Sequence, residues 1–130
     1  MSTAYFDCYS GISGDMALGA LLDCGADRAV LDAAVEALQL QDEISVEVRR
    51  ESRGHVGGTR VVVQIGRQKE RTIPALRATV EQSSAPDAVK RQALKAIGLL
   101  AAAEGALHGV AENDLHLHEL GGADTLVDVV

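Results

Sequence analysis

The sequence predicts an α+β fold: a small mixed sheet of about four strands packed with helices. Three observations predict it. Short segments at 3–8, 44–49, 59–65 and 115–120 run apolar or alternate in the manner of strands. Longer segments repeat apolar residues at i, i+3 and i+4, as amphipathic helices do. Clusters of Gly, Ser and Pro punctuate the two kinds. The class becomes α/β if the first strand pairs in parallel.

Residues 3–8 are short and apolar and read as a buried first strand. The run Ser10-Gly11-Ile12-Ser13-Gly14-Asp15 is a turn with a helix start. Ser13 is placed to cap that helix, and Asp15 suits its positive end. The helix over 16–24 is apolar, which assigns Cys24 to the core, and Gly25 ends it. A second helix over 27–40 aligns Val30, Leu31, Ala34, Val35 and Leu38. Strict alternation over 44–49 gives a half-buried strand. Residues 54–58, with three glycines, read as a flexible connection to its natural hairpin partner at 59–65. Thr72-Ile73-Pro74 opens a helix to about Gln82, with Pro74 tolerated in the first turn. A long helix then reaches about Leu107, with Val89, Ala93, Ile97, Leu100 and Leu107 on one face. Residues 115–120 form a candidate strand, and a last helix begins at Asp124.

Composition narrows the function. The 130 residues carry a formal charge of −7, which argues against non-specific nucleic-acid binding. No apolar run approaches the roughly 18 residues of a membrane span. The N-terminus lacks the basic region of a signal peptide. Two cysteines make no disulfide framework, and reduced thiols fit a cytoplasmic protein. With no Trp, one Phe and two Tyr, the core is built from Ala, Val, Leu and Ile. The chain reads as a single domain over 1–130. Its last residues, 126–130, are apolar except Asp128, which suggests the N-terminal part of a longer protein.

The densest chemistry lies near that end. His108, His116 and His118 fall within eleven positions, beside Glu119, Asp124 and Asp128. Imidazoles and carboxylates so gathered suit a borderline divalent metal. On a strand His116 and His118 share a face, with Cβ atoms roughly 6–7 Å apart, while Glu119 points away. On a helix Asp124 and Asp128 share a face at i, i+4. Spacing alone leaves a second reading open, in which the histidines are surface residues of an edge strand and Asp124 caps a helix. The loop Gly11-Ile12-Ser13-Gly14 would suit a phosphate at a helix N-terminus, or be a plain capped turn. It is neither a P-loop nor a dinucleotide fingerprint. Asp7 and Asp15 bracket it and could hold a hydrated cation. Cys8 is a candidate thiolate ligand or a small buried hydrophobe. His55 reads as solvated. Arg49, Arg50 and Arg53 read as a solvated face that could touch a phosphate.

Two longer motifs point further. Tyr5-Phe6-Asp7-Cys8-Tyr9-Ser10-Gly11-Ile12-Ser13-Gly14-Asp15-Met16, then Leu18-Gly19-Ala20-Leu21-Leu22-Asp23, form the first. Ala103-Glu104, His108-Gly109, Leu115-His116-Leu117-His118-Glu119-Leu120-Gly121 and Ala123-Asp124-Thr125-Leu126-Val127-Asp128 form the second. Together they resemble the N-terminal part of the LarC family, the nickel-insertion proteins of nickel-pincer cofactor biosynthesis. The resemblance implies CTP-dependent insertion of Ni²⁺ into pyridinium-3,5-bisthiocarboxylic acid mononucleotide, with Mg²⁺ or Mn²⁺. The product is the cofactor of lactate racemase. It implies a partner, the family's CTP-binding C-terminal domain, which this sequence lacks. On this reading His108, His116, His118, Glu119, Asp124 and Asp128 are metal ligands. Asp7, Asp15 and Cys8 are catalytic, and Ser10, Gly11, Ser13 and Gly14 hold the substrate phosphate. Many members carry a His-rich stretch where residues 64–71 here have no histidine, so nickel storage is not implied.

Two classes of function follow. The first is a metal- and substrate-handling domain of a nickel-inserting enzyme. The alternative is a non-catalytic metal-binding or assembly module, whose exposed residues 126–130 would dock a partner or a second copy.

Overall fold

The computed structural model of the chain describes residues 3–66, 69–111, 115 and 122–130. Five helices and one antiparallel hairpin build the fold among them. In chain order these are α1 (Gly14–Asp23), α2 (Arg28–Ala37), β1 (Ile44–Arg53), β2 (Val56–Ile65), α3 (Ile73–Gln82), α4 (Asp87–His108) and α5 (Ala123–Val129). The α+β class stands. The four-stranded mixed sheet does not: the described residues hold two strands, paired antiparallel from Ile44↔Ile65 to Arg53↔Val56.

Residues 3–8 are the main correction. They carry no strand assignment and are exposed, with Tyr5 87% and Phe6 52% accessible. An apolar segment becomes a strand only where another backbone edge takes its N–H and C=O groups, and neither hairpin strand pairs with it. With no parallel pair, the α/β option falls too. The proposed strand at 115–120 lies outside the described residues except for Leu115, which is buried.

The hairpin is longer and tighter than the sequence suggests. Gly54 and His55 are its two-residue turn, at φ 54° and 69°. Positive φ at both central residues is what a type I′ hairpin uses, because its twist matches that of the strands. Gly57 and Gly58 therefore belong to β2 and not to a flexible connection. At the other end Gly66 N donates to Glu43 O at 2.8 Å. Glu43 also accepts from Arg71 at 2.6 Å and Lys69 at 3.0 Å, pinning the approach to α3. Burial pushes the Glu43 carboxyl up, but the hydrogen bonds and charges of these two cations win and hold it below the ordinary range.

The helices begin and end largely where the caps place them. Asp27 accepts from Ala29 N at 2.9 Å, and Thr72 accepts from Ala75 N with Pro74 in the first turn. Gly25, at φ 98°, lets Ala26 N reach Leu21 O. Three burial expectations fail. Cys24 sits at the exposed end of α1 and is not core. Val30 and Leu107 fall just off the buried stripes of α2 and α4 and face solvent. The stripe of α4 runs through Ala93, Ile97 and Ala101, against Ile73, Leu76 and Val80 of α3.

Residues 126–130 are not an exposed patch either. Leu126 and Val127 are buried, because α5 packs against α1, α4 and β2. That packing closes one continuous core with Leu31, Val35, Ile44 and Val61.

The close contact of α1 with the hairpin is made at Gly19. A Cβ there would collide with the Thr59 carbonyl oxygen. The C-terminal end of α1 is tied to the same strand: Asp23 accepts from Thr59 Oγ1 at 2.8 Å and pairs with Arg50. We expect Gly19→Ala to lower unfolding stability by roughly 1–3 kcal/mol, the usual cost of overpacking. Gly98→Ala in α4 meets only ordinary contact, 3.6 Å from an Arg77 nitrogen, and should raise it by up to about 1 kcal/mol. Urea denaturation of the two variants tests the opposite signs; a Gly19→Ala protein as stable as the parent would contradict the contact.

Candidate functional site

The start of α1 and the start of α5 meet across β2 and frame a small acid-lined cleft. Asp15, Asp124 and Asp128 line it, with Arg60 and Val61 to Val63 of β2; its volume is about 250 Å³. Asp124 and Asp128 share a face of α5, as their i, i+4 spacing requires. Asp124 Oδ1 is buried and has no hydrogen-bond partner among the described residues. An acceptor left in this state carries a desolvation cost that a proton or cation would relieve. Asp128 is exposed as a residue, yet its carboxyl rests on Gly14, where a Cβ would collide with it. Burial of that carboxyl, then the charges of Asp124 and Asp15, push its pKa up to about 6.

The loop before α1 contributes less regular geometry. Gly11 N donates to Cys8 O at 2.9 Å, and Gly11 is left-handed at φ 83°. Ser13 occupies the cap position, but its hydroxyl donates to Asp15 Oδ1 and accepts no bond from the backbone N–H groups of α1. Met16 N donates to the same oxygen at 2.9 Å. Ser13 and Asp15 face a second, larger cleft of about 460 Å³. Its other wall is the hairpin tip: Glu51, Arg53, Gly57, Gly58, Thr59 and Arg60. Arg60 donates to Glu51 at 2.9 Å and Arg53 stands 3.4 Å from the same side chain. The bond from Arg60 outweighs desolvation and, with both cations' charges, holds the Glu51 carboxyl below its ordinary range.

Asp15, Asp124 and Asp128 are thus brought together, with Ser13 and Gly14 beside them. Asp7, Cys8, Ser10 and Gly11 stay on the exposed arm, outside the linings of both clefts. His108 ends α4, exposed and 3.3 Å from Glu104. His116, His118 and Glu119 lie outside the described residues. Among the described residues no three His, Cys, Asp or Glu side chains gather closely enough to hold a metal ion. The described carboxylates fit a cation only as part of a larger donor set. Sequence reasoning missed Arg60, Glu51 and the glycine wall of β2. Their juxtaposition depends on the Gly54-His55 turn, which sets Arg60 opposite Arg49.

Comparison with known proteins identifies the family. The family model described as nickel insertion protein matches residues 4–130. The chain belongs to the nickel-insertion family. A relative from Syntrophobacter fumaroxidans, whose name refers to nickel insertion, is 40% identical over all of this chain and 33% of its own length. One from Roseiflexus castenholzii is 42% identical over 97% of the chain and 32% of its own length. The pyridinium-3,5-bisthiocarboxylic acid mononucleotide nickel insertion protein of Akkermansia muciniphila is 36% identical over 99% of the chain and 34% of its own. The chain spans about a third of the length of these relatives. No solved structure matches it. No helix among the described residues is long and apolar enough to cross a membrane.

The raised Asp128 has a measurable sign. Its pKa lies near 6 folded against 3.8 for an ordinary aspartate, so its protonated form favours the fold. That contribution is full below pH 3.8 and is lost as pH rises through about 6. Asp128→Asn should therefore match the parent near pH 4 and exceed it above pH 7. The gain should be on the order of 1 kcal/mol, well short of the full linkage value because one side of the carboxyl is in solvent. Denaturation curves of both proteins from pH 4 to 7.5 that stay parallel would contradict the assignment.

Proposed function

We propose that this chain is the metal- and substrate-handling part of a protein that inserts nickel into pyridinium-3,5-bisthiocarboxylic acid mononucleotide. CTP, with Mg²⁺ or Mn²⁺, acts through a further domain. The observation that carries this reading is the acid cleft of Asp15, Asp124 and Asp128 at the start of α1. The substrate is taken from the name of the Akkermansia relative.

Nickel is here a substrate, and as a borderline ion it takes N, S and O donors. His116 and His118 precede Asp124 by eight and six residues and would supply imidazole nitrogens, with Glu119 between them and α5. His108, Asp124 and Asp128 complete the proposed ligand pool, and the exposed Cys8 adds a thiolate. Of the loop residues assigned to the phosphate, Ser13 and Gly14 stand at the start of α1 and would offer it a hydroxyl and an amide, whereas Ser10 and Gly11 lie outside both clefts. A nickel–carbon bond to the pyridinium ring replaces a C–H bond, so one proton must leave. A carboxylate outside the ligand set must accept it. Asp7 and Asp15 are the other carboxylates assigned to base or Mg²⁺ duty.

A second reading, an assembly module without chemistry of its own, draws on Tyr5, Phe6 and Tyr9, whose side chains are exposed.

An anaerobic assay separates the two. It combines the thiolated precursor, Ni²⁺, Mg²⁺, CTP and apo-lactate racemase with this chain and the remaining two-thirds of a full-length relative. Racemase activation should need both pieces and fall by at least about a hundredfold in His116→Ala/His118→Ala, as loss of metal ligands does. Activation undiminished in that variant would remove the histidines from the reaction. No activation, with the second piece competent alongside its own N-terminal part, would favour the assembly module.

A further inference from the structure

The cleft between α1 and the hairpin tip carries an arrangement that the nickel chemistry leaves unused. Its 460 Å³ is the size of a small-molecule site. Its hairpin wall sets Arg53 and Arg60 on one shared carboxylate, Glu51, at 3.4 and 2.9 Å. Arg49 approaches Glu51 too, at 3.8 Å. Arg49 and Arg60 face each other directly across the strands. Like charges so placed destabilise a sheet, and here they occur in a chain of net charge −7. Each of these pairs is solvent-accessible, so exchanging Glu51 for another anion costs little. Gly57 and Gly58 leave the wall beside them open: a Cβ at Gly58 would meet nothing within 4 Å.

We infer that this cleft binds a phosphate monoester, with Arg60 and Arg53 as its charge partners and Glu51 as the counter-ion it displaces. Guanidinium groups suit the task because their planar donors match phosphate oxygens two at a time. Ser13, at the head of α1, faces them from the opposite wall. Asp15 is the carboxylate on that wall that opposes an anion. Its Oδ1 already takes the Ser13 hydroxyl and the Met16 amide, and it also borders the acid cleft, where a cation would offset its charge. The inference deepens the reading above, since the proposed substrate is a mononucleotide. It rests on that reading only for which phosphate ester is meant.

The test titrates ribose 5-phosphate into the 130-residue chain at low salt, followed by amide NMR shifts, with ribose as the uncharged control. No nickel or CTP is present, so failure here leaves the insertion assay untouched, and failure there leaves this result standing. Ribose 5-phosphate should move the amides of Ser13, Gly14, Gly57 and Gly58, and ribose should not. Arg60→Gln should weaken binding about tenfold, Arg60→Lys less, and Arg28→Gln, on α2 and paired with Asp32, not at all. Glu51→Gln removes the competing carboxylate and keeps both arginines, so it should tighten binding severalfold; it also serves if Arg60→Gln does not fold. Unmoved cleft amides, undiminished binding in folded Arg60→Gln, or weaker binding in Glu51→Gln would each overturn the assignment.

Discussion

The contact that organises this structure is the seat of Gly19 on the Thr59 carbonyl. A two-stranded hairpin is marginal in water by itself and needs a helix against its apolar face. Here α1 comes close enough to do this only because position 19 has no side chain. The consequences spread from there. With α1 down on β2, Asp23 reaches Thr59 and Arg50, and the start of the helix is delivered beside Arg60. α5 then packs against both α1 and β2, burying Leu126 and Val127 and setting Asp128 on Gly14. Two glycines of the first motif, Gly14 and Gly19, thus act as points of close approach as well as parts of a loop and helix.

Local signals in the sequence carried much of this fold. Capping residues, Pro74 and Gly25 marked helix boundaries because each acts through its own backbone. Asp124 and Asp128 were legible as a pair because helical spacing alone puts them on one face. What was not legible depended on partners distant in sequence. Residues 3–8 look like a strand in composition, but pairing is a property of two segments and the partner is not encoded in one of them. Residues 126–130 look exposed when read as an end, yet α1 and β2 cover them. Arg60 was invisible because its neighbours are set by the hairpin register. That register turns on His55 adopting a left-handed conformation that residues other than glycine rarely take.

Arg60 and Asp15 border both clefts. Three carboxylates dominate one of them, with Asp128 pushed towards neutrality by burial and then by the charges of the other two. The other adds Arg53 and the shared Glu51, so that its charges balance. Such a division has a use for a ligand that carries a phosphate at one end and meets a metal ion at the other.

Sharing Arg60 and Asp15 also couples the two clefts. Glu51 first, and Asp15 in smaller part, raise the pKa of Arg60, while Asp15 adds to the burial and the Asp124 charge that raise that of Asp128. An anion bound beside Arg60 offsets that positive charge, so the acid cleft becomes more negative and attracts a cation more strongly. A cation among the carboxylates offsets Asp15 and so weakens one of the two negative charges, Asp15 and Glu51, that oppose an anion. On the two proposed bindings each ligand favours the other, and the coupling is equal in both directions because binding free energies are linked. The order of arrival is then free, while the doubly loaded state is favoured over either single one. This is what a site needs when metal and organic substrate must both be present before a bond can form between them.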